Sequence, residues 1–284
     1  MRALNAVVAV VLLGLLSGVL LATQKASRPA PQTASWLGWG GPRHNFTTDA
    51  EGLANTWPPE GPKRLWSRAL GEGHSSIIGE GGLLYTMYRP TTGIRNTWKA
   101  EEVVISLDAA SGKTIWEYRY PTSLDTMNFS RGAGPHSTAL IAGNRLFAAS
   151  TDKQFFALDK VTGKLLWSHN FVKEYNALPN QMRWAVKPGY STSPIAYKNM
   201  VIAAVGAPDH GIIAFRQDDG RLLWSAGKYS DIAPASPLII TLDGEDQVVI
   251  TSGDGVHAYD PNTGKPIWEY LFPTKAGVNI SSPV

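Results

Sequence analysis

The chain has 284 residues, 43% hydrophobic and 17% charged, a composition that excludes a disordered polyelectrolyte. Its net charge of +3 comes without a basic cluster interleaved with aromatics, which argues against nucleic acid as a partner. Cysteine is absent, so disulfides, thiolate metal sites and a cysteine nucleophile are excluded.

At the N-terminus, Arg2 precedes an apolar run from Ala6 to Ala22 broken only by Gly and Ser. Residues 1–22 therefore read as a signal peptide or an N-terminal membrane anchor, and either one places the rest outside the cytoplasm. Residues 23–35, with Pro29 and Pro31, read as a linker. Residues 36–67 follow as a separate segment, in which "KRLWSRAL" around Trp66 has the character of a last blade strand lacking its predecessors. Such a strand is expected to close a ring.

From residue 68 one phrase returns four times: "SLDAASGKTIW", "ALDKVTGKLLW", "AFRQDDGRLLW" and "AYDPNTGKPIW", ending at Trp116, Trp167, Trp224 and Trp268. Each holds a small residue, a glycine six positions on (Gly112, Gly163, Gly220, Gly264) and the tryptophan four beyond that. The glycine suits a turn with positive φ, Asp108, Asp159 and Asp260 suit acceptors for turn amides, and the indole suits packing on a neighbouring unit. In the second copy "HSTALIAG", "RLFAAS", "FFALD" and "KLLWSHNF" read as four short strands, with residues 151–154 as a polar turn. The repeat spans roughly fifty residues, all of it strand, which points to radial repetition rather than a helical solenoid. The fold class is all-β: a β-propeller of four-stranded antiparallel blades, with about four blades present. A ring of seven or eight blades at this spacing takes roughly 350–400 residues. Since "NISSPV" aligns with the openings "YSTSPI" and "PASPL", residues 68–284 are expected to stop at the start of a fifth blade.

The motif resembles that of the pyrroloquinoline-quinone (PQQ)-type β-propeller repeat family. Its pattern Ala-x-Asp-x-x-Thr-Gly-x-x-x-Trp is met in full by Ala157, Asp159, Thr162, Gly163 and Trp167, and again by Ala258, Asp260, Thr263, Gly264 and Trp268. The resemblance implies an exported protein of one of two kinds. One is a BamB-like scaffold for outer-membrane protein assembly. The other is a quinone-dependent dehydrogenase, in which PQQ, polarised by a Ca2+ ion, takes hydride from an alcohol or sugar. Alcohol dehydrogenases of this kind carry adjacent cysteines, which this chain lacks.

Strand order puts the turns between second and third strands on the same face as the connections to the next blade. The longest loops, 89–102, 121–135 and 172–189, all belong there, opposite the Thr-Gly turns. They supply Arg95, Trp98, Lys99, Arg183 and Trp184 as candidates for binding a protein partner. Arg131 lies in the same loops, and His74, His136 and Ser191 stand where first strands begin. These four are the cofactor-binding candidates, and the bland reading of the entrances is small hydroxylated residues fitting crowded strands. "DGEDQ" and "SGDG" resemble calcium loops only in composition and read as hairpin turns, so no metal site is assigned. No nucleophile elbow, HExxH helix or Walker loop occurs, and no catalytic residue is assigned. The expectation is an exported, periplasmic or membrane-anchored scaffold with protein partners in the cell envelope, with the PQQ-dependent dehydrogenase as alternative and an extracellular sensor as a third reading.

Overall fold

A computed structural model describes residues 35–49, 52, 54–91, 99–124, 127–180, 187–229, 231–274 and 279–282; the side chains of residues 99 and 131 are not described. All of them belong to one compact unit, Thr33–Val284, and residues 1–34 lie outside the described residues. No helix among the described residues is long and apolar enough to cross a membrane.

Four antiparallel sheets follow one another, each with its strands in sequence order. The first is β1 (Ile78–Glu80), β2 (Leu83–Tyr88), β3 (Lys99–Asp108) and β4 (Thr114–Ser123). The second is β5 (Leu140–Ala142), β6 (Arg145–Ala149), β7 (Gln154–Asp159) and β8 (Leu165–Asn170). A short helix, α1 (Phe171–Tyr175), leads to β9 (Ile195–Tyr197), β10 (Met200–Ala207), β11 (His210–Arg216) and β12 (Leu222–Ala226). The last sheet is β13 (Leu238–Leu242), β14 (Glu245–Thr251), β15 (Gly255–Tyr259) and β16 (Pro266–Leu271). These are propeller blades, and the chain is an all-β propeller protein.

The repeated phrase makes the same local structure four times. The third and fourth strands pair with a register shift just after the small residue, so that Ser106, Ala157, Ala214 and Ala258 face Trp116, Trp167, Trp224 and Trp268. A small side chain there leaves room for the indole to lie across the ladder. In the turn, Asp159 accepts from Thr162 through both amide and hydroxyl at 2.8 Å, and the Gly163 amide closes on the Asp159 carbonyl at 2.8 Å. The third copy has Arg216 at the aspartate position, and there the guanidinium Nε donates to Asp219 at 2.7 Å.

Four indoles each reach the blade that follows them. Trp66, Trp116, Trp167 and Trp224 lie against Gly112, Gly163, Gly220 and Gly264. Their Nε1 atoms donate to the carbonyls of Ala109, Lys160, Gln217 and Pro261 at 2.9–3.0 Å. Every acceptor sits three residues before its glycine. Residues 63–70, expected as a ring-closing strand, carry no strand pairing among the described residues, yet Trp66 makes this contact like the others. Trp268 differs: it donates to Gln247 of its own blade at 2.7 Å, and β16 is exposed along its whole length.

Between the blades lies the apolar core. Phe156 and Leu158 pack with Trp116, Tyr120 and Val104, while Phe155, Ile213, Phe215 and Tyr259 belong to a larger cluster that runs through the second, third and fourth blades. The second and third strands of a blade are buried on both faces, β10 along its whole length, and so read as continuous apolar runs rather than alternating ones.

Candidate binding face

The first strands stand side by side, because their opening residues are tied in series. The Ser76 amide donates to Thr138 Oγ1 at 3.0 Å, the Thr138 amide to Ser193 Oγ at 3.0 Å, and the Ser193 amide to Ser236 Oγ at 2.9 Å. At these short strands an amide pointing at the next blade meets no ladder partner, and a hydroxyl one blade on satisfies it. The small hydroxylated residues are therefore inter-blade ties first.

Beside them the imidazoles of His74 and His136 stack at 4.7 Å with planes 22° apart. Burial, then the adjacent His74, pushes His136 down to about 4 against a hydrogen bond with Gly132, so it is neutral at ordinary pH. Ser191 is half-buried one blade further on. Arg131 ends a short 3-10 turn, Phe129–Arg131, and its side chain is not described. The four cofactor-binding candidates thus come from one face, and His74 and His136 are in contact there.

Beneath the same face lies a polar node that sequence reasoning missed. Glu102, expected inside a loop, is in β3 and completely buried. One carboxylate oxygen accepts from the Thr151 amide at 3.1 Å and from the Tyr120 hydroxyl at 3.2 Å, while the other accepts from the Thr151 hydroxyl. Burial pushes the Glu102 carboxyl up to about 7, although those donors pull the other way. Arg89, 6% exposed, donates to the Ala133 carbonyl at 3.2 Å and lies 5.6 Å over the Phe129 ring. Burial lowers its pKa while Glu102 and Glu72 hold it up.

The turn at 151–154 was expected to be a plain polar turn. Instead Thr151 and Lys153 are buried, at 2% and 0% exposure. Lys153 Nζ crosses to the next blade and donates to the Val205 carbonyl at 2.9 Å. Burial pushes this amine down to about 7, opposed by the charge of Asp231. The node therefore links three blades: Glu102 and Tyr120 from the first, Thr151 and Lys153 from the second, Val205 from the third. Nothing local marks those residues as buried, since the walls that cover them come from other repeats.

The loops are shorter than expected. β3 begins at Lys99 and β4 runs on to Ser123, and α1 occupies the start of the 172–189 loop. Helix α1 is held by the Asn170 side chain capping the Lys173 amide at 3.0 Å. Lys99 pairs with Ser123 in the ladder, with its side chain not described. Arg95, Trp98, Arg183 and Trp184 lie outside the described residues.

One serine–histidine pair on this face resembles a nucleophile and base. Ser252 Oγ is 2.7 Å from His257 Nε2, and Glu269 approaches Nδ1 at 3.5 Å. However, Ser252 is completely buried and is part of a turn that the second blade repeats without any histidine. There Ser150 Oγ donates to Asp152 at 2.6 Å and accepts from the Gln154 amide at 2.8 Å. In the fourth blade Ser252 does the same with Asp254 and the Gly255 amide. Its hydroxyl is a turn acceptor, closed to substrate. The described residues also do not make a seat for a quinone with its cation: no three His, Asp or Glu side chains among them converge on one point, and the buried carboxyl nearest the entrances is held by its own blades.

Comparison with known proteins adds the following. The family described as outer membrane protein assembly factor BamB matches residues 100–282. The outer membrane protein assembly factor BamB of Bordetella pertussis is 25% identical over 180 residues, which are 63% of this chain and 38% of that protein. The quinoprotein alcohol dehydrogenase PedH of Pseudomonas putida is 29% identical over 133 residues, 43% of this chain and 19% of that protein. This chain thus spans well under half the length of either relative. Among solved structures, BamB from Moraxella catarrhalis aligns with a TM-score of 0.43 and 17% identity, covering 73% of this chain and 65% of that one.

Proposed function

We propose, from the premise that this chain belongs to the family described as outer membrane protein assembly factor BamB, that it is an exported propeller acting as a non-catalytic scaffold for protein partners in the cell envelope. The observation that carries this reading is the occupation of the buried polar groups of the binding face. Glu102, Thr151, Lys153, Thr138, Ser193 and Ser236 each bind a neighbouring blade, so these groups make a rigid platform rather than a reactive centre. Rigid scaffolds with their loops grouped at one end are suited to recognition. The organisation that goes with this reading is a signal peptide or anchor over 1–22, a linker over 23–35, a segment over 36–67, and propeller repeats from 68 onward.

A second reading, a PQQ-dependent alcohol or sugar dehydrogenase, is supported by the higher identity to the quinoprotein relative over its shorter alignment. It would need the quinone and Ca2+ to find ligands beyond those described.

Two measurements separate the readings. Titration of the purified chain with PQQ and Ca2+, followed by thermal unfolding, is expected to give no saturable shift; a stoichiometric shift of several degrees would favour the dehydrogenase. Capture from envelope extract is expected to lose its partners when residues 92–98 are replaced by a short turn. It should keep them when Lys113, Lys164 and Lys265, exposed on the opposite face, are changed to Glu. The converse result would place binding on the Thr-Gly-turn face.

A further inference from the structure

Aligning the repeats through their small residue exposes one position out of character. The residue just before it is Ile105 in the first blade, Phe156 in the second and Ile213 in the third, exposed to 0%, 4% and 0%. Each is core: Ile105 packs in a cluster with Trp66 and Leu70 ahead of the first blade, and Phe156 packs on the rings of Tyr118 and Tyr120 of the preceding blade at 5.3 and 4.6 Å. In the fourth blade this position is His257. Helix α1 adds Phe171 and Tyr175 to the joint between the second and third blades, whereas the described residues of the connection from β12 to β13 form no helix.

The result is a cavity of about 490 Å3 between β12 and the β15–β16 hairpin. Tyr229 stacks on His257 at 4.7 Å, with planes 22° apart, and with Tyr259 lines the aromatic part. Asp254 stands 3.4 Å from Nε2 of that imidazole and Glu269 stands 3.5 Å from Nδ1, with more than half of each carboxylate side chain exposed. Partial burial works to raise the Asp254 carboxyl, but the Ser252 hydroxyl and His257 outweigh it and keep the group below the usual carboxylate range. The single lysine or arginine in the lining is Lys228, at the exposed rim.

We propose that this inter-blade cavity binds a small organic cation, an alkylammonium or guanidinium carried on a flat or apolar body, with Asp254 and Glu269 as counter-charges and Tyr229 and Tyr259 as walls. The lining sets two carboxylates and the edges of two tyrosine rings against Lys228 and the His257 imidazole that stands between the carboxylates. A cation gains from charge-assisted hydrogen bonds, and its apolar body from contact with the rings. The described His, Asp and Glu side chains do not converge as metal ligands, so the cation is organic. The site stands apart from the scaffold reading: it is a ligand pocket at a blade joint, whatever the loop face binds.

The test uses the full purified chain with benzylamine and benzamidine as probes, and benzyl alcohol and benzoate as neutral and anionic counterparts, followed by calorimetry and by ligand-observed NMR. Both cations are expected to bind saturably at one site, with the alcohol roughly tenfold or more weaker and benzoate without binding. Glu269→Gln, at an exposed position, should weaken benzamidine roughly tenfold, and Asp254→Asn similarly while keeping an acceptor for Ser252. Lys228→Met should tighten binding by removing the competing cation. Equal binding of the alcohol and the amine, indifference to both carboxylate changes, or no binding of either cation up to millimolar concentration would overturn the proposal.

Discussion

Gly163 lies directly beneath the Trp116 indole: a Cβ built on the glycine would come within 2.6 Å of ring carbons Cδ2 and Cε3. The glycine also sits at φ 73°, in the left-handed region that costs other residues energy. Three residues earlier, Lys160 accepts the indole N–H at 3.0 Å, so turn and ring form one joint.

Gly163→Ala is therefore expected to destabilise the protein by about 2–4 kcal/mol, from backbone strain and overpacking together. Trp116→Phe, which keeps an aromatic ring but loses the N–H, should cost less, with about 1 kcal/mol belonging to the hydrogen bond. Urea melts of the two variants beside the parent check this. A neutral Gly163→Ala would mean that turn and indole do not touch.

Glu102 makes stability depend on pH with a definite sign. Its carboxyl is pushed from an ordinary 4.5 up to about 7, so between those values the folded chain holds a proton that the unfolded chain has released. Stability from this group is full at low pH and falls as pH rises through that window, by about 3 kcal/mol in all. Glu102→Gln should thus grow more stable relative to the parent from pH 5 to pH 8. Melts across that range that stay parallel would contradict the burial of the charge.

Lys153 carries the opposite sign in a different window. Its amine is pushed from 10.5 down to about 7, so between those values it is the unfolded chain that holds the extra proton. Stability from this residue rises with pH over that window. Lys153→Met should flatten the rise and be more stable than the parent near pH 6, where the buried amine must carry charge. His136, pushed from 6.5 down to about 4, contributes alike to parent and variant and drops out of the comparison. Denaturant midpoints from pH 6 to pH 9, parent against variant, measure the difference.

The blades were legible in the sequence because their information is local. A small residue, a glycine turn and a tryptophan recur at fixed spacing, and four-stranded sheets follow from the alternation between them. The polar node was not legible, because Glu102 and Lys153 look like loop residues until walls from neighbouring blades close over them. His257 was legible in principle: aligned on Ala258 it replaces Ile105, Phe156 and Ile213, and a lone histidine in an apolar column of a repeat is a signal. That comparison requires reading down the repeats rather than along the chain. The lengths of the face loops were over-read, since β3 and β4 extend as a ladder through residues whose polarity suggested a turn.

The Trp–Gly joint has a polarity with consequences for assembly. It is heterologous: one partner contributes a plug and the other a socket, and contacts of that kind, if repeated between copies, close into a ring or run on as an open filament according to whether the rotation closes. Trp268 instead donates to Gln247 of its own blade, on a strand exposed along its length. The socket that a second copy would present at its leading blade is Gly112, and that one is filled from within the same chain by Trp66. Gly163, Gly220 and Gly264 are filled as well. Trp66 thus fills the first blade's socket, and any other indole could enter it only by displacing that ring.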